Sequence, residues 1–160
     1  MRAHLLLAAA ACLLLAPCSL AKRPTLRLVK THREYKALLK HHKENTGLPV
    51  IVDFYSDGCG PCRQIAPGYK QMAKQFRDRA VFAKVDINQN QETSQREQIR
   101  SMPTFKFYLN GKLRHQLSGG DLNSVQQWAN KLSREAAKAN VRVTMEALVE
   151  YYTEVDPEPK

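Results

Sequence analysis

Val50-Ile51-Val52-Asp53-Phe54-Tyr55, then Ser56-Asp57-Gly58, then Cys59-Gly60-Pro61-Cys62 is the stretch whose reading decides the architecture. Its first six residues are almost all β-branched or aromatic, the pattern of a strand buried on both faces. Ser56-Asp57-Gly58 reads as a turn. Cys59 then opens a helix that reaches about Arg77. Pro61 suits the first turn of that helix, where its missing N–H had no partner anyway. Pro67 lies further inside and is expected to kink the helix. A helix start carries unpaired N–H groups and roughly half a positive charge, and both favour a thiolate at Cys59. The three-residue spacing brings the Cys62 sulfur within disulfide reach of Cys59.

Working outward, Thr25 to Val29 alternates loosely as a short strand, and Thr31 caps a helix running to about Glu44. Tyr35, Leu38, Leu39 and His42 share one face of it, and Gly47 ends it. Beyond the cysteines come a strand over Val81 to Ile87 and a polar helix over Gln91 to Arg100. A strand at Phe105 to Leu109 meets Asn110-Gly111, a strong hairpin signal, and Lys112 to Leu117 returns as its partner. After Gly119-Gly120, Asp121 or Asn123 can cap a long helix with Val125, Trp128, Ala129 and Leu132 inward. Alternating strands and helices closed by a hairpin predict an α/β fold: a mixed sheet with helices on both faces. In the tail, Val143, a Thr144 cap and Leu148 fit a hydrophobic staple. Met145, Leu148, Val149 and Tyr152 form a helical stripe there, more readily packed on its own domain than offered to a partner.

The ends and the charge bound the setting. The 160-residue chain begins with Met1, Arg2 and His4, then an unbroken apolar run from Leu5 to Ala16. Pro17 and Ser19-Leu20-Ala21 follow, as at a signal-peptidase site. A helix of that run rises only about 18 Å, short of a hydrocarbon core of about 30 Å. Residues 1–21 therefore read as a cleaved signal peptide, 22–139 as the folded domain and 140–160 as a helical extension. A lipoprotein box ending at Cys18 is the weaker alternative, since Pro17 fits it poorly. Cleavage removes Cys12 and Cys18 and leaves Cys59 and Cys62 alone, too few for a disulfide framework. The 25 Lys and Arg outnumber the 15 Asp and Glu, with eight bases against Glu34 between Lys22 and Lys43. The one tyrosine there, Tyr35, shares the apolar face with Leu38 and Leu39 and no further Phe, Tyr or Trp is interleaved for stacking on bases, so a solvated surface is preferred to nucleic-acid binding.

For the cysteine pair, thiol–disulfide exchange is the reading: Cys59 attacks a disulfide, a mixed disulfide forms and Cys62 resolves it. Half a zinc site is the competitor, but there is no second cysteine pair, and His32, His41, His42 and His115 lack ligand spacing. No metal and no cofactor are expected. A purely structural cysteine pair is the remaining alternative.

Val52-Asp53-Phe54, Cys59 to Pro67 (CGPCRQIAP), Lys84-Val85-Asp86, Met102-Pro103-Thr104, Asn110-Gly111 and Gly119 together resemble the thioredoxin family, in order and in register over about residues 25–138. The resemblance implies a thioredoxin fold, a central mixed sheet of about five strands flanked by about four helices, plus a C-terminal helix. It implies that Asp53 is a buried carboxylate managing the proton of Cys62, with a raised pKa, and that Lys84 modulates it. It implies a cis Pro103 facing the motif, with the Met102 backbone and Gly119 in the substrate groove, and Gly60 and Pro61 as the motif backbone. One departure stands out. The family usually has Trp before the first cysteine, and this chain has Gly58 beside Asp57, so a different substrate preference is expected.

The function expected is reduction of protein disulfides, at the reducing end of a superfamily whose potentials run from about −270 mV to about −180 mV. A disulfide isomerase or oxidase, and a thioredoxin-fold binding module or assembly subunit of a secretory-route complex, are the alternatives. Expected partners are protein disulfides and a reductase or other electron donor; the mature chain is read as a monomer with no transmembrane segment. The signal implies the ER lumen, secretion or an organelle reached through the ER, with a bacterial periplasm as alternative.

Overall fold

The computed structural model describes residues 25–155, and the side-chain surroundings of 25–140. The expected signal peptide lies outside the described residues, as do the tail stripe's side chains. In chain order the elements are β1 (Leu26–Leu28), α1 (His32–His41) with a π-helical turn (His42–Thr46), β2 (Val50–Tyr55), α2 (Gly60–Gln75) and β3 (Val81–Asp86). They continue with α3 (Gln91–Arg96), β4 (Thr104–Leu109), β5 (Lys112–Ser118) and α4 (Leu122–Val155).

The sheet order is β1-β3-β2-β4-β5. β1 and β2 run parallel to β3, while β4 is antiparallel to both β2 and β5. The central position of β2 explains its apolarity: Val50 to Phe54 are all buried. One face of the sheet buries Ile51, Phe82, Phe105 and Phe107 under Tyr69 of α2 and Leu132 of α4. The other buries Val52, Phe54 and Val85 under Tyr35 and Leu38 of α1. Each such side chain contributes roughly 1.5–3 kcal/mol over its exposed state.

Local signals act where the sequence puts them. The Thr31 hydroxyl accepts from the Glu34 N–H at 3.2 Å, and Gly47, at φ +63°, donates to the His42 carbonyl at 2.9 Å to close the helix. Asn110 and Gly111 both hold positive φ (52° and 73°), the turn that matches strand twist in a hairpin. Asp121 accepts from the Asn123 and Ser124 N–H groups at the start of α4. The polar helix is shorter than expected, ending at Arg96, where Gln98 turns to φ 55°. The tail also differs from its reading. There is no fresh start at Thr144, because α4 runs unbroken from Leu122 to Val155. Nothing between Ala136 and Thr144 is Gly or Pro, so propagation continues at no nucleation cost. No helix among the described residues is long and apolar enough to cross a membrane.

Candidate active site

The strand–turn–helix passage is tied down residue by residue. The Cys59 N–H donates to the Ser56 carbonyl at 3.1 Å, and the Arg63 guanidinium donates to the Asp57 carbonyl at 2.8 Å. Cys59 is the N-cap of α2, with extended backbone, and its Sγ accepts from the Cys62 N–H at 3.1 Å. A helix N-terminal N–H aimed at this sulfur is what stabilises a thiolate there. Gly60 and Pro61 form the first turn. Cys59 and Cys62 are disulfide-bonded, with Cα atoms 5.3 Å apart. Their exposure differs: Cys62 is 2 % exposed, whereas Cys59 is only partly buried. An incoming disulfide can reach Cys59 first.

Asp53 points toward α2, on the face of Ile51, and its carboxylate is felt by Tyr69 of that helix. It is 1 % exposed, and no hydrogen-bond donor among the described residues reaches either oxygen. Its charge partner among the described residues is Lys84 Nζ, 3.8 Å from Oδ2, directly across the β2–β3 register. Loss of hydration raises the carboxyl from 3.8 to about 6, and the Lys84 charge offsets only part of that rise. Lys84 Nζ also lies 3.6 Å from the centroid of the Tyr55 ring, which holds the ammonium beside the carboxylate.

The Met102–Pro103 bond is cis, and the Pro103 carbonyl accepts from the Gly119 N–H at 2.9 Å. Gly119 has φ +94°, a region side chains avoid. The neighbouring Gly120 abuts Ile65, one turn beyond Cys62, so this loop flanks the first turns of α2. Met102 is exposed beside it. The structure thus sets Cys59 and Cys62 at the start of α2, pairs Asp53 with Lys84 within reach of Tyr69 on the same helix, and bonds Pro103 to Gly119 in the loop that flanks Ile65. No group of three His, Cys, Asp or Glu side chains among the described residues is placed to hold a metal. At Gly58 an added Cβ would meet nothing within 4 Å.

Three residues escaped the sequence reading. The Tyr69 hydroxyl donates to the Ile51 and Ala83 carbonyls, at 3.0 and 3.1 Å, stitching α2 to both strands that carry the ion pair. Its burial drives its pKa well above the ordinary tyrosine range. The apolar stripe Cys62, Ile65, Tyr69, Met72 marks it as inward-facing, but not its partners. Tyr55 and Arg63 carried no signal, since their roles depend on Lys84 and on the bend of the loop.

Comparison with known proteins agrees with this geometry. The Thioredoxin family model matches residues 26–132. A thioredoxin of Geodia cydonium is 41% identical over 113 residues, which cover 70% of this chain and 95% of that protein. One from Neurospora crassa is 40% identical over 99 residues, covering 58% of this chain and 78% of its own length. Among solved structures, the reduced Schistosoma mansoni thioredoxin pre-protein superimposes with TM-score 0.62 at 33% identity, covering 67% of this chain and 97% of that one.

Proposed function

The chain belongs to the thioredoxin family and is a protein-disulfide reductase working through Cys59 and Cys62, and on that premise we propose how its remaining residues serve the reaction. The Cys59 thiolate attacks one sulfur of a substrate disulfide; that S–S bond breaks and the departing thiolate takes a proton. Cys62 then gives its proton to the Asp53 carboxylate and attacks Cys59 Sγ. The mixed disulfide breaks, the second substrate thiol leaves, and the protein holds the Cys59–Cys62 disulfide. A donor dithiol returns the two electrons.

One observation carries the assignment of roles: the more accessible sulfur, Cys59, caps the helix start, while Cys62 is buried in the same helix, whose Tyr69 lies near a buried carboxylate raised to about 6. A carboxyl titrating there can take and return a proton near neutrality. Lys84 keeps that value from rising further. The Met102 backbone, Pro103 and Gly119 form the rim on which an extended substrate segment pairs. The test is insulin reduction driven by dithiothreitol, comparing wild type with Cys59→Ser and trapping mixed disulfides with Cys62→Ser. Equal rates in wild type and Cys59→Ser end this reading. A potential above about −200 mV instead of near −270 mV would move the protein to the oxidase or isomerase class.

The setting we propose is a secretory-route compartment, with residues 1–21 as a cleaved signal and the mature chain a monomer. The basic start, the Leu5 to Ala16 run and Ser19-Leu20-Ala21 support it. Tagged full-length protein found in the cytosol would exclude it. Open space at Gly58 favours a dedicated substrate over a general one.

A further inference from the structure

At the end of the sheet away from the cysteines, where β1, β2 and β3 begin, lies a cavity of about 130 Å³. The cysteines follow the far end of β2, so its length of roughly 17–20 Å separates the two places. The cavity is lined by Arg27 of β1, His41 at the end of α1 and Arg77 just past α2, with the Thr25 hydroxyl and an apolar floor at Leu48 and Phe82. Among the described residues no carboxylate lines it. The Arg27 and Arg77 guanidinium groups have no ion-pair or hydrogen-bond partner among the described residues. The neighbouring cleft beyond Leu48 is different: there Asp78 offsets Arg79 and Arg134, and Arg79 already lies over the Phe76 ring.

Basic residues at helix ends have an ordinary explanation, which is compensation of the helix dipole. Two helix C-termini bring roughly one negative charge between them. Lys40 in the last turn of α1 and Lys74 in that of α2 already match it. Arg27, on a strand, is outside that account, and Arg77 is surplus to it.

We propose that this cavity binds a phosphate group, as the inorganic dianion or a phosphomonoester. Its volume falls below the roughly 300–1,000 Å³ of sites for larger organic ligands, which suits a small tetrahedral anion. Two guanidinium forks match a dianion in charge. A phosphate also offers three or four terminal oxygens to both forks and a hydroxyl, whereas a carboxylate brings two oxygens and a single charge. The apolar floor lowers the local dielectric and strengthens each contact.

The experiment is an amide NMR titration of the oxidised protein with inorganic phosphate at pH 7.5, with ionic strength held constant by chloride. Parallel arms use phenyl phosphate and acetate. The expected result is saturable movement of the Arg27, Arg77 and Phe82 amides with both phosphates and none with acetate. Arg27→Gln or Arg77→Gln is expected to weaken binding by about tenfold or more each, as for loss of a charge-assisted hydrogen bond. Insulin reduction by both variants should match wild type, which also shows that they fold. Linear, unsaturated shifts, an equal response to acetate, or unchanged binding in both variants would each overturn the site. Saturation by inorganic phosphate alone would restrict it to the free anion.

Discussion

Replacing Asp53 with Asn tests the electrostatic core of the site, and the structure supplies the sign and the size. In the unfolded chain this carboxyl releases its proton near the ordinary value of 3.8; in the fold it does so near 6. Between those two values unfolding releases a proton, so rising pH favours the unfolded chain until the carboxyl is ionised in both states above about 6. The raised pKa therefore leaves stability intact below about pH 4 and removes it as pH climbs through 6. The gap, at about 1.4 kcal/mol per tenfold in proton affinity, amounts to about 3 kcal/mol. Asn keeps the shape and never ionises. Asp53→Asn should match wild type near pH 4 and exceed it by about 3 kcal/mol at pH 8, a rise in Tm of roughly 10 °C. Urea unfolding of the oxidised proteins, followed by Trp128 fluorescence between pH 4 and 8, measures this directly. A stability difference that does not change with pH, or an Asn variant weaker than wild type at pH 8, would refute the argument that desolvation dominates this carboxyl.

Lys84→Met removes the charge that offsets burial of Asp53, so the pH at which insulin reduction rises should move upward from the wild-type value; an unmoved profile would detach Lys84 from the reaction. Gly58→Trp fills open space at a backbone that needs no glycine, so Tm should hold within about 2 °C while KM for insulin falls severalfold; a large loss of stability would show a constraint at Gly58 that the open geometry does not contain. Tyr108→Phe deletes the hydroxyl between Tyr35 (2.6 Å) and Glu97 (2.8 Å) in the buried cluster under α1. It should cost about 1–3 kcal/mol in urea unfolding, and a neutral result would show that Lys106, 2.7 Å from Glu97, satisfies that carboxylate alone.

Much of this protein was legible residue by residue. The buried central strand, the cysteines at a helix start, the Asn110-Gly111 hairpin and the caps at Thr31 and Gly47 all stand where the sequence puts them. Each is set by interactions among residues a few positions apart, so periodicity and turn chemistry determine them before any distant contact forms. The helix through Asn140 to Thr144 was also open to local reading. There a capping residue carried more weight than the absence of any breaker.

Other properties required the whole fold. That Cys62 is sealed while Cys59 is reachable, that burial lifts Asp53 to about 6, and that Tyr69 ties α2 to two strands all depend on segments 14 to 31 residues apart being brought together. The same holds for the cavity shared by Arg27, His41 and Arg77. Exposure, desolvation and charge pairing are through-space quantities. The order of residues supplies the chemical groups, and only packing decides which of them lose water and which charges they then face.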